Sequence, residues 1–124
     1  MIQLVNLIIG GTLGTLSRYF LTHVTYHFLG IGFPYGTLIV NLMGCFIIGI
    51  VANLSSGTFF LTYNHRLLLI TGFCGAFTTF STFIFETEHL FTSGEIIKGV
   101  INIFLSLVLG FIVFRLGGIL GRAL

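Results

Sequence analysis

Residues 72–86 read GFCGAFTTFSTFIFE and combine hydroxyl side chains with aromatic rings inside a very apolar chain. A single phenylalanine interrupts the hydroxyl residues of this stretch, which are Thr78, Thr79, Ser81 and Thr82. Hydroxyl side chains can replace lost backbone hydrogen bonds, and Gly72 and Gly75 weaken a helix. We therefore predict that a membrane helix is interrupted here, leaving main-chain carbonyl oxygens that suit a hard cation.

Two phenylalanines in this stretch could line a path for an ion. Phe80 and Phe83 are three positions apart, so their rings lie on one face of a helix. A phenyl ring is positive at its edge, and two edges facing a narrow path attract a small anion weakly while keeping water out. An asparagine amide such as that of Asn41 adds N–H donors. This combination favours a small anion over an organic cation.

Polar residues of three apolar segments should lie at one depth. Asn41 and Asn102 each stand about six positions into their segments, so at ~1.5 Å per residue they reach similar depths. Ser106 lies one turn beyond Asn102, and Phe80 and Phe83 lie at a comparable distance from the same side. The alternative is that the asparagines only form hydrogen bonds between helices.

The composition predicts whether this chain is surrounded by water or by lipid. Charged residues make up 6% of the 124 residues and hydrophobic residues 56%, whereas a soluble domain has roughly 25% charged residues. This predicts an all-α integral membrane protein, a single four-helix domain over residues 1–124, surrounded by lipid and without a nucleic-acid partner. The first apolar run is too long for a signal-peptide core, and we expect it to be a span. The predicted spans are Ile2–Phe28, Gly36–Leu54, Arg66–Phe91 and Ile96–Leu120, with breaks around Pro34, at Leu54–His65 and at Thr92–Glu95.

The 17 glycines indicate close helix packing. Gly10 and Gly14, like Gly117 and Gly121, are four positions apart, a spacing that lets helix backbones approach each other in lipid. With so few residues, one copy can hardly enclose a site alone, so we expect an oligomer.

The charge pattern gives a weak orientation signal. Arg66, Arg115 and Arg122 fall toward the side of the termini, whereas Arg18 and Lys98 fall toward the other side. Such a small bias permits insertion in both orientations, and two inverted copies could then pair, although weak signals could also fix one orientation.

Two charged residues near the side opposite the termini could pair with each other. Arg18 and Glu86 should lie at comparable depth, where each is costly alone in lipid. We expect either an ion pair or separate extension of the two side chains to the headgroups.

Three segments resemble the signature segments of the Fluc-type fluoride channels, the CrcB family. They are GGTLGTLSRY at Gly10–Tyr19, GTLIVNLMGCFIIG at Gly36–Gly49 and GFCGAFTTFSTF at Gly72–Phe83. The likeness extends over the whole chain in length, span number and segment order. It implies a passive, fluoride-selective channel in the inner membrane of a bacterium, exporting fluoride through the two pores of a dual-topology antiparallel homodimer.

The resemblance also implies roles for individual residues. A structural sodium ion, which is not transported, would be held by the main-chain carbonyls of Gly75 and Thr78 from each of two inverted copies. Arg18 matches the arginine of the first motif, and Asn102 stands where some members carry a tyrosine. The residues implied for the fluoride pathway, with their plausible polar neighbours, are Asn41, Phe80, Phe83, Ser81, Thr82, Asn102, Ser106, Thr37 and Arg18.

Other functions fit the sequence less well. A small four-span multidrug/proton antiporter needs a deep carboxylate, but the first span has no acid, and the acids Glu86, Glu88 and Glu95 lie toward one side. A purely structural or assembly-assisting membrane protein needs no hydroxyl-lined helix break. No nucleophile–base pair or metal cluster can be assembled from the sequence, so we expect no enzyme.

Overall fold

The computed structural model describes residues 1–54 and 62–124, in which every regular element is a helix. Four helical segments are long and apolar enough to cross a membrane, which confirms the predicted all-α fold with four spans. The third span consists of two helices, so the elements are α1 (Ile2–Leu29), α2 (Tyr35–Asn53), α3 (63–77), α4 (Phe80–Thr92) and α5 (Ile96–Ala123). Of the predicted connection Leu54–His65, residues 55–61 lie outside the described part of the chain.

Two short connections on one side of the bundle depend on glycine. Gly30 ends α1 with a φ of 77°, and Gly94 joins α4 to α5 with a φ of 79°. Positive φ values are accessible to glycine without steric cost, so the chain reverses direction within a few residues. Both connections agree with the breaks predicted around Pro34 and at Thr92–Glu95.

The third span is broken, but the break lies beyond the glycines that we expected to weaken it. The helix α3 begins with an α-helical turn, continues as a π-helix over Leu67–Cys74 and ends with the turn Gly75–Phe77. Gly75 itself has helical angles, φ −62° and ψ −33°. The extended residues are Thr78, with φ −83° and ψ 156°, and Thr79, with φ −149° and ψ 114°. The hydroxyl residues therefore mark the break, and the glycines remain in the helix.

Hydroxyl side chains form hydrogen bonds at the helix ends on both sides of this break. Thr78 Oγ1 donates to the Cys74 carbonyl at 2.8 Å, and the same carbonyl also accepts the Thr78 amide at 2.9 Å. Thr79 is the N-cap of α4, and its Oγ1 accepts a hydrogen bond from the Thr82 amide at 3.3 Å. A side chain that replaces missing helical partners makes the interruption tolerable in hydrocarbon.

The glycine pairs serve helix packing, as predicted. A methyl group at Gly14 of α1 would overlap the carbonyl oxygen of Phe73 in α3. On the other side of the bundle, methyl groups at Gly117 and Gly121 of α5 would overlap carbonyl oxygens of α2. The α1–α3 and α2–α5 pairs are therefore packed backbone to backbone, and the break between α3 and α4 lies beside α2.

Candidate functional site

Asn41 of α2 both accepts a hydrogen bond from the main chain of the break and donates one to it. The Thr79 amide donates to Oδ1 of Asn41 at 2.8 Å, and Nδ2 of Asn41 donates to the Thr79 carbonyl at 3.1 Å. Because each unpaired backbone group in hydrocarbon costs several kcal/mol, this double hydrogen bond stabilises the interruption. An amide nitrogen carries two hydrogens, so one N–H of Asn41 is left to donate to another acceptor.

A small cluster of hydroxyl groups begins α4. Thr79 Oγ1 lies 3.0 Å from Thr82 Oγ1 and 3.4 Å from Ser81 Oγ. Ser81 is exposed on the surface of the single chain, whereas Thr79 and Thr82 are half-buried. The cluster keeps rotatable O–H donors at the beginning of a helix, where the backbone dipole also favours negative charge.

A cavity of about 450 Å³ lies between α1, α2 and the beginning of α4. Arg18 and Glu86 line it from facing helices, and Thr37 contributes from α2. Thr79 and Thr82 form the part of its wall that belongs to the break. The cavity therefore connects a cation, a carboxylate and the hydroxyl cluster.

A second cavity, of about 250 Å³, lies on the other side of Thr79. Asn41, Phe80 and Phe83, which were predicted to lie at one depth, all line it together with Ser106, which was predicted one turn deeper. The two rings are tilted by 41° with their centroids 5.7 Å apart. Phe83 is 6% exposed and Phe80 is 73% exposed, so one ring belongs to the core and the other to the surface of the single chain.

The hydroxyl of Ser106 lacks a partner within the described chain. Its Oγ is buried and accepts or donates no hydrogen bond to any described residue. A buried hydroxyl in this state costs about 1–3 kcal/mol. Because Ser106 lines the smaller cavity beside Asn41, its hydroxyl is available to bond to a group in this cavity.

Asn102 is not brought to the cavity that Asn41 and Ser106 line. Its side chain is 1% exposed, and its Nδ2 donates to Thr87 Oγ1 of α4 at 2.9 Å. It lines neither of the two cavities at the break. Asn102 was predicted on the same helix face as Ser106. It lies one turn closer to the beginning of α5, however, and its amide binds Thr87 in the contact between α4 and α5.

Of the two alternatives for Arg18 and Glu86, the ion pair does not form within the described chain. Among the described residues, an ion pair forms only between Lys98 Nζ and Glu95 Oε1, which are 3.1 Å apart near the α4–α5 turn. Tyr26 of α1 instead donates its hydroxyl to Glu86 Oε1 at 2.9 Å, and Glu86 Oε2 is buried without a described partner. Arg18 and Glu86 both line the larger cavity.

Replacing Tyr26 with phenylalanine should therefore destabilise the fold by about 1–3 kcal/mol, because the partly buried carboxylate of Glu86 loses its donor. The thermal unfolding midpoint of the purified protein in detergent measures this. Tyr19→Phe is the matched control, since Tyr19 is 74% exposed and should leave the midpoint unchanged. Equal midpoints for both variants would show that the hydrogen bond contributes nothing.

Three contributors to the site were not among the predicted site residues. Thr79 supplies the main-chain groups that Asn41 binds, Tyr26 binds Glu86, and Cys45 lines the smaller cavity. Cys45 follows Asn41 by four residues, so the helical period could have identified it. Thr79 and Tyr26 depend on where the break falls and how α1 lies against α4, which no local spacing reveals.

The sequence also matches known proteins along nearly its whole length. Residues 5–118 match the family model described as CrcB-like protein, Camphor Resistance (CrcB). A Rhizobium etli protein named Fluoride-specific ion channel FluC is 43% identical over 124 residues, covering 100% of this chain and 99% of that protein. A protein of the same name from Dehalococcoides mccartyi is 42% identical over 122 residues, covering 98% and 94%. A third, from Rhizobium leguminosarum, is 46% identical over 99 residues, covering 80% and 79%. The protein therefore belongs to the CrcB family of ion channels and is not an enzyme.

Proposed function

We propose that this protein is a fluoride-selective, passive ion channel. The observation that carries the proposal is the buried, unpaired hydroxyl of Ser106 in a cavity shared with Asn41, Phe80 and Phe83. Relatives that align over almost the entire chain bear the name of a fluoride-specific channel, which supports the same ion.

The chemistry of the smaller cavity suits a small hard anion. Ser106 offers an O–H donor, and the second N–H of Asn41 offers another. The rings of Phe80 and Phe83 can present positive edges to the same space and exclude water. The side chains on this wall carry no formal charge, so an anion would be bound weakly enough to leave.

The larger cavity would serve as the entrance on the side of the α1–α2 and α4–α5 turns. Arg18 provides a positive charge that attracts anions, while Thr37, Thr82 and the exposed Ser81 offer hydroxyl groups toward the break. Thr79 lines both cavities, so an ion passing from one to the other would cross the Asn41–Thr79 contact. Asn102 has no place on this route, since its amide is bound to Thr87.

A passive pore suffices to export fluoride from a bacterial cell. Hydrogen fluoride crosses the inner membrane as a neutral acid and dissociates in the neutral cytoplasm, where fluoride is trapped. An inside-negative potential expels an anion with about 2.3 kcal/mol per charge per 100 mV. Lowering fluoride toxicity therefore requires selectivity and no coupled energy source.

The functional unit in this proposal is a dual-topology antiparallel homodimer with two pores. Polar and small residues near the middle of the third span are exposed in the single chain, among them Thr71, Gly75 and Ser81. Exposed polar groups in lipid are costly, and an inverted second copy would cover them. The same copy would enclose the ring of Phe80, which one chain leaves 73% exposed.

A structural sodium ion on the dimer axis fits the chain at the end of α3. Thr78 is extended there, and Gly75 is exposed, with Ile70 O at 3.8 Å the nearest atom to the place of an added Cβ. Main-chain carbonyls of Gly75 and Thr78 from two copies would offer four neutral oxygens, which suit a hard monovalent cation. A divalent ion normally demands carboxylates.

Exchanging sodium for a large organic cation on both sides should reduce fluoride flux and dissociate the dimer, because the break loses its axial ligand. Flux from vesicles and dimer fraction by cross-linking measure the two effects. Thr78→Ser should behave as the unchanged protein does, because the main-chain ligand remains. Full activity in verified sodium-free protein would contradict a structural role for the ion.

The alternative of a proton-coupled multidrug antiporter has one observation in its favour, the buried carboxylate oxygen of Glu86 in the larger cavity. Purified protein in liposomes separates the two functions. The channel predicts electrogenic loss of loaded fluoride, recorded with a fluoride electrode, while loaded chloride is retained. The antiporter predicts uptake of an organic cation driven by a pH gradient, with no fluoride loss.

A further inference from the structure

We infer that Asn102 and Thr87 form a hydrogen-bonded relay that positions Phe83, and that Asn102 affects ion passage only through this relay. The inference rests on the proposed function, because it gives Phe83 a role in the fluoride path. It makes Asn102 a positioning residue and removes it from direct contact with the ion.

The relay consists of two consecutive hydrogen bonds in the buried contact between α4 and α5. Asn102 Nδ2 donates to Thr87 Oγ1 at 2.9 Å, and Thr87 Oγ1 donates to the Phe83 carbonyl at 2.7 Å. Asn102 is 1% exposed and Thr87 is 4% exposed, so neither can turn to lipid for another partner. The hydroxyl therefore joins the α5 amide to the main chain of the residue whose ring lines the smaller cavity.

The position of this relay determines what it can control. Phe83 is buried at 6% exposure and shares the smaller cavity with Ser106, which lies one turn along α5 from Asn102. A hydrogen bond between the two helices next to this point fixes the separation of the Phe83 ring from the Ser106 hydroxyl. Because buried polar pairs have no competing water in this contact, breaking the pair lets α4 shift or rotate against α5.

A relay and a direct fluoride contact predict different results for the same substitutions. Asn102→Leu keeps the volume and removes the donor, and Thr87→Val removes the hydroxyl that receives it. For a relay, each variant should lower fluoride flux from vesicles on the order of tenfold, the equilibrium effect of losing one buried hydrogen bond. The double variant should be no worse than Thr87→Val alone, since that variant already breaks both hydrogen bonds of the relay. If Asn102 instead contacts fluoride directly, Thr87→Val should conduct normally, or the flux losses of the two single variants should multiply in the double variant.

Two further variants distinguish the loss of the relay from a general destabilisation of the fold. Thr87→Ser keeps the hydroxyl and should restore the flux and the fluoride-over-chloride ratio of the unchanged protein. Thr25→Val is the control for removing a buried threonine, because Thr25 is 7% exposed and its hydroxyl also donates four residues back, to Leu21 O at 2.7 Å. Thr25 of α1 lines neither cavity at the break, so its loss should leave flux unchanged.

A second readout follows Phe83 without requiring transport. With 4-fluorophenylalanine at position 83, the 19F resonance should shift in the same sense in Asn102→Leu and Thr87→Val and stay in place in Thr25→Val. An unmoved resonance in the first two variants, normal flux in Thr87→Val, or multiplying losses would each overturn the relay. If vesicles with the unchanged protein lose no fluoride while the resonance shifts as expected, the proposed function fails and the relay stands.

Discussion

Replacing Asn41 with aspartate should reduce fluoride flux to the level of vesicles without protein. The Thr79 amide could still donate to the carboxylate, but the hydrogen bond from Nδ2 to the Thr79 carbonyl would become a contact between two oxygens. The ionised carboxylate would also repel fluoride, by about 4 kcal/mol at 4 Å and an effective dielectric constant of 20. Since about 1.4 kcal/mol corresponds to tenfold, this repulsion alone should lower flux by roughly a thousandfold.

Asn53→Asp is the matched control for this charge. Asn53 is also an α2 asparagine, and its Nδ2 donates to the Gly49 carbonyl at 2.9 Å within its own helix. It lines neither cavity at the break, so the same substitution there should leave most of the flux. Flux should be compared only in fractions that elute as the folded assembly, which we propose to be a dimer. Normal fluoride flux in folded Asn41→Asp protein would contradict both the clamp at Thr79 and the donor role of Asn41.

Two glycines that look alike in sequence should fail in different ways when replaced with leucine. In Gly14→Leu the new side chain would overlap the carbonyl oxygen of Phe73, which is backbone and cannot yield cheaply. Overpacking costs about 1–3 kcal/mol and occasionally more, and here it separates α1 from α3. We expect Gly14→Leu to yield almost no folded protein.

Gly75→Leu should fold as a single chain and fail to assemble. The nearest atom to an added Cβ is Ile70 O at 3.8 Å, an ordinary contact, and the residue is exposed in one copy. The leucine would instead occupy the axis where the second copy and its sodium ion are proposed to lie. Size-exclusion chromatography and cross-linking in detergent distinguish unfolded, single-copy and dimeric protein. A dimeric Gly75→Leu variant with normal flux would exclude Gly75 from the interface.

Residue depth could be predicted from the sequence, because counting along a helix fixes it. Asn41, Phe80 and Phe83 were expected at one depth and line one cavity, whereas Asn102, expected at the same depth, binds Thr87 instead. The four spans and the glycine contacts followed from composition and from the four-residue spacing of small side chains. These features depend on periods of a few residues, which local sequence contains.

The direction in which side chains point could not be predicted in the same way. The π-helix over Leu67–Cys74 changes the number of residues per turn and so shifts the phase of everything after it in the third span. This is why Thr87 could not be identified as the partner of Asn102, nor Glu86 as that of Tyr26. The break moved from the glycines to Thr78 and Thr79 because Asn41, distant in sequence, supplies the hydrogen bonds that stabilise it.

The current across a planar bilayer containing the purified protein shows whether the protein conducts fluoride passively and selectively. With a fluoride gradient and equal chloride on both sides, the reversal potential should follow the fluoride equilibrium potential, about 59 mV for each tenfold ratio. It should not move when chloride is made unequal instead. A reversal potential that follows chloride or protons, or no current in fluoride, would contradict the account.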